Sequence, residues 1–65
     1  MTADELAIIA TTLAGLRRDL LADPAMDDPA LMWNRVVHTL SLNFTAHQLW
    51  DPSFNRHDFL QSAWA

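Results

Sequence analysis

The chain has 65 residues, no cysteine, and eight acidic residues against four basic ones, a net charge of −4 at pH 7. A fold of that size hides only about 60% of the surface its unfolded chain exposes, and without disulfides or thiolate metal sites it is left with economical packing or association. The charge argues against nucleic acid, where affinity rests on clustered bases neutralising phosphates; Arg17, Arg18, Arg35 and Arg56 form no cluster in the sequence.

The first predicted helix opens at Thr2. Thr2 followed three residues later by Glu5 is a capping-box pattern, and Asp4 and Glu5 sit where the helix dipole favours negative charge. Leu6, Ile9, Leu13, Leu16 and Leu20 then recur at steps of three and four, one apolar stripe on a helical cylinder. Asp23-Pro24 ends it, because the residue before proline disfavours the α region. Gly15, inside the pattern, suggests a close helix crossing. The acidic start does not resemble a basic signal-peptide opening, and the apolar run from Leu6 to Leu16 is too short to span a bilayer. A cytoplasmic protein with no membrane partner is the expectation.

Residues 23–29 form a connector with two prolines and three aspartates. Asp28-Pro29 is a helix-start signal, a capping oxygen followed by a residue whose missing N–H costs nothing in the first turn. The second helix is expected from Pro29 to about Leu49. Its inward face is read as Trp33, Val36, Val37, Leu40, Phe44 and His47, with Met32 and Leu49 at the margins and a kink near residues 41–45.

Asp51-Pro52 breaks the chain again. A short third helix is expected from Arg56 to about Trp64, with Asn55 as its cap. Phe54 and Phe59 have the spacing of a hydrophobic staple, which fixes the angle at which a helix leaves its turn. The fold class is therefore all-α: one domain, residues 1–65, with two longer antiparallel helices and a short C-terminal helix closing one end.

Nothing assembles a catalytic site. There is no Cys, Lys or Tyr, and Ser41, Ser53 and Ser62 lack a glycine-rich elbow. The single glycine lies within a helix, so no loop cradles a phosphate. We expect no enzyme activity, no cofactor and no small-molecule substrate. His47, Asp51 and His57 could be imagined as zinc ligands across the turn, but a partly covered core histidine and a solvated first turn account for them better. Carboxylates thinly spread from Asp4 to Asp58 look like caps and turns rather than a phosphate mimic.

Half of the chain is apolar, with three tryptophans and three phenylalanines. Trp33, Trp50 and Trp64 cannot all lie deep among three short helices, and tryptophan is favoured at interfaces. Those three, with Leu13, Leu16 and Leu20 of the first stripe and Arg56, are the expected interaction residues. The expected partner is a second copy, as a dimer, or another protein.

The stretch Pro52-Ser53-Phe54-Asn55-Arg56-His57-Asp58-Phe59-Leu60-Gln61-Ser62-Ala63 resembles the ending of many short uncharacterised proteins of actinobacteria and their bacteriophages. In those, Phe, then Asp or Asn, then Arg precede two variable residues, Phe-Leu and a small residue. Relatives often continue with Cys-Gly, where this chain has Trp64-Ala65. The resemblance covers about a dozen residues, much of it helix-start chemistry, and implies a phage or mobile-element origin rather than any catalytic residue. The expected function is thus a self-associating, phage- or prophage-encoded module that modulates a host or phage protein. A small DNA-binding or transcription accessory factor is the alternative, and an accessory subunit completing another chain's active site a weaker third.

Overall fold

Residues 1–65 are described in this computed structural model, which contains three helices and no strand. The first, α1, spans Ala3–Ala22 and starts at the expected box. Glu5 N–H donates to the Thr2 hydroxyl at 3.2 Å while Thr2 N–H donates to the Glu5 carboxylate at 3.0 Å. Two amides that the helix itself leaves unpaired are thereby satisfied. The hydrogen bond from the Thr2 backbone is also the main reason the Glu5 carboxyl titrates below its ordinary range. Leu6, Ala10, Leu13 and Ala14 form the buried line of α1.

Helix α2 spans Pro29–Ala46. Asp28 caps it, accepting from Leu31 N–H at 3.3 Å, with its own backbone in the left-handed region at φ 46°. Short polar side chains are among the few that tolerate that conformation. The helix runs unbroken through residues 41–45, where a kink was expected, and stops three residues short of Leu49. Gln48 takes a positive φ of 54°, and Leu49 N–H turns back to the Phe44 carbonyl at 2.9 Å. A straight continuation would carry Leu49 and Trp50 out into solvent. The turn instead folds both against the core. His47, expected to face inward, is exposed as a result; Val36, also expected inward, is 41% exposed on the outer side of α2.

Helix α3 spans Arg56–Trp64. Asn55 and Asp58 form a reciprocal cap at 3.2 and 3.1 Å. The turn before it is held by Asp51, whose Oδ1 accepts both Ser53 N–H at 2.8 Å and the Ser53 hydroxyl at 2.6 Å. These two donors, the hydroxyl first, hold the Asp51 carboxyl below its usual range.

Helices α1 and α2 are antiparallel, joined where the Trp33 indole N–H donates to the Leu13 carbonyl at 2.8 Å. Rather than closing one end, α3 lies along the pair and parallel to α1. Its Phe59 meets Phe44 and Trp50 at centroid separations of 5.5 and 5.3 Å, near the open ends of the hairpin. Its Trp64 meets Trp33 edge-on at 4.8 Å, at the level of Arg17. Small side chains make room for this: Ala10 and Ala14 of α1 and Ala63 of α3 are all buried. Gly15 plays no part, since a Cβ built there would meet nothing within 4 Å.

Candidate interaction surface

Each sequence-derived interaction residue has a definite place. Leu13 and Trp33 are core: Trp33 is 1% exposed, its one polar atom committed to α1. Trp50 is half-buried, edge-on to Phe44 and Phe59, with its indole N–H donating to the Thr45 hydroxyl at 2.9 Å. That hydroxyl in turn donates to the Ser41 carbonyl. Only Trp64 keeps about half of its surface in solvent, at 49%. The Arg17 guanidinium stands 5.6 Å from the ring centroids of both Trp33 and Trp64. Leu20 is half-buried and Leu16 largely exposed. Arg56 is exposed, and the nearby Asp51 carboxylate is turned to Ser53 instead. Leu13, Trp33 and Trp64 come together, whereas Trp50 packs on Phe44 and Phe59 and Arg56 is exposed, so the seven form no single exposed patch.

What does converge combines Met32, expected at the margin, and Val36, expected to face inward, with Leu31, which the sequence pattern does not single out. Leu31, Met32 and Val36 are 50, 49 and 41% exposed. They lie on adjacent turns of α2, where positions three and four apart share a face. Together with Asp27, Asp28 and Arg35 they line one shallow depression. A second depression continues from Arg35 and Val36 to Thr39 and Leu40. Along the axis the first has an acidic end at Asp27 and Asp28, an apolar floor, and a basic end at Arg35. The steps between Leu31, Met32, Arg35 and Val36 could have shown this, because apolar positions there extend past the width that one core-facing stripe needs.

The total accessible surface, 4373 Å², is near the roughly 4,200 Å² expected of a compact monomer of 7.4 kDa. Singly scattered exposed leucines are ordinary; Leu31, Met32 and Val36 instead adjoin one another, between Asp27 and Asp28 at one end and Arg35 at the other.

No three His, Cys, Asp or Glu side chains come together as a metal-binding group, His47, Asp51 and His57 included. No helix is long and apolar enough to cross a membrane. Compared with known protein families, curated proteins and solved structures, the chain matches none of them.

Proposed function

We propose that this protein is a non-enzymatic interaction module, phage- or prophage-encoded, that self-associates and binds and modulates a host or phage protein in the cytoplasm. The observation that carries this reading is the apolar shelf of Leu31, Met32 and Val36, bordered by opposite charges at its two ends. Such a surface is costly to leave in water and is the ordinary substrate of protein recognition. The phage origin rests on the Phe54-Asn55-Arg56 and Phe59-Leu60 pattern.

The DNA-binding alternative finds no comparable support. Arg17 already stands 5.6 Å from the ring centroids of both Trp33 and Trp64, which leaves Arg18, Arg35 and Arg56 on three different helices. A recognition helix needs several basic or amide side chains along one exposed face.

Two measurements test the reading. Self-association requires a sedimentation mass above that of one chain. Binding of another protein requires that wild-type bait retain a discrete partner from the natural host. Salt-sensitive retention on DNA, with neither of those results, would replace the module by the alternative.

A further inference from the structure

We propose that the shelf at the start of α2 is a self-complementary docking surface, covered by the same shelf of a second copy. The two α2 helices would run antiparallel about a twofold axis, so that Arg35 of each chain meets Asp27 of the other. This rests on the self-association part of the function proposed above and names its surface and pairing.

The charge order is the reason for choosing a second copy. A twofold contact is isologous: one patch faces itself with the helix direction reversed. Such a patch gains most when its two ends carry opposite charge, because reversal then sets each end against its complement. Asp27 and Asp28 stand at one end of this depression and Arg35 at the other, with Leu31, Met32 and Val36 between them. A pairing in which residue numbers on the two chains sum to about 63 sets Arg35 against Asp28, next to Asp27, and Leu31 against Met32, from one rise of about 1.5 Å per residue. Asp27 and Arg35 are both exposed. Asp28 is partly committed to capping α2 through its Oδ1. Asp27 is therefore the freer acceptor for the guanidinium.

The shelf is small: it spans about two turns of α2, widened by Thr39 and Leu40 of the second depression, where stable interfaces bury roughly 1,200–2,000 Å² in total. The dimer is accordingly weak and concentration-dependent.

Charge reversal tests the pairing in the full chain. Asp27→Arg and Arg35→Glu each set like charges against each other at both ends of the dimer, and each weakens dimerisation about tenfold in sedimentation equilibrium. The double variant Asp27→Arg/Arg35→Glu returns it to near the wild-type value. Met32→Glu removes the dimer, while Ile8→Glu, at the most exposed apolar residue of α1, leaves it intact. Helical circular dichroism unchanged in all variants confirms that the fold survives at these exposed positions. A dimer that survives Met32→Glu and is lost with Ile8→Glu overturns this surface while leaving self-association in place. Two single reversals that weaken dimerisation without rescue in the double variant overturn the antiparallel pairing. A wild-type chain that is monomeric throughout removes both.

Discussion

The indole of Trp33 donates its only hydrogen bond, at 2.8 Å, to the backbone carbonyl of Leu13 on the neighbouring helix. The largest side chain of the core thus fixes the register of α1 against α2 as well as filling space. Trp33→Phe keeps an aromatic ring but leaves a gap and removes the donor. We expect a loss of about 1–3 kcal/mol, from the lost bond plus the vacated volume. In a domain this small that lowers Tm by several degrees per kcal/mol, at about 4–8 °C each. Thermal unfolding followed by circular dichroism measures it.

Gly15 makes the opposite prediction. It lies within α1 with open space where a Cβ would stand. Gly15→Ala is expected to stabilise the chain by about 0.5–1 kcal/mol, through the lower freedom of the unfolded state and the better helix propensity of alanine. Denaturant unfolding gives the sign directly. A destabilised variant would contradict the open space at this position.

Acid should loosen the turn before α3. The Asp51 carboxyl titrates below its ordinary value of 3.8 because the Ser53 hydroxyl and backbone N–H donate to it. A carboxyl depressed in the folded state contributes stability that is complete above its unfolded value and lost as pH falls through the folded one. The contribution therefore disappears below about pH 4. Ser53→Ala removes the larger of the two causes. Carboxyl chemical shifts followed from pH 2 to 6 should place the Asp51 midpoint higher in Ser53→Ala than in wild type.

The cap of α3 should matter more than its length suggests. A helix of nine residues has little stability of its own, and Asn55 and Asp58 satisfy its first amides. Asn55→Ala is expected to cost about 1 kcal/mol and Asn55→Gly only a few tenths. Paired unfolding curves for the two variants separate capping from simple side-chain removal.

The helix starts were legible because caps are local. Thr2 with Glu5, Asp28 with Pro29 and Asn55 with Asp58 announce themselves within four residues, and all three stand in the structure. The end of α2 was not, because the burial of Leu49 and Trp50 decides it, and that depends on where α1 and α3 lie. Val36 faces outward, against the expectation, for a related reason. A helix with apolar residues on more than half its circumference offers several candidate inward faces, and only the third helix selects one. Helix α3 packs on the face that carries Trp33 and Phe44, which meet its Trp64 and Phe59. Met32 and Val36 were left outside. The tryptophans illustrate the limits of composition: their number implied an exposed indole, which Trp64 supplies, but not which of the three it would be.

Sedimentation equilibrium of the wild-type chain over a hundredfold range of concentration tests the central claim most directly. Association through an apolar surface predicts an apparent mass that climbs from 7.4 kDa towards twice that value as concentration rises. A mass fixed at 7.4 kDa up to millimolar concentration would contradict it.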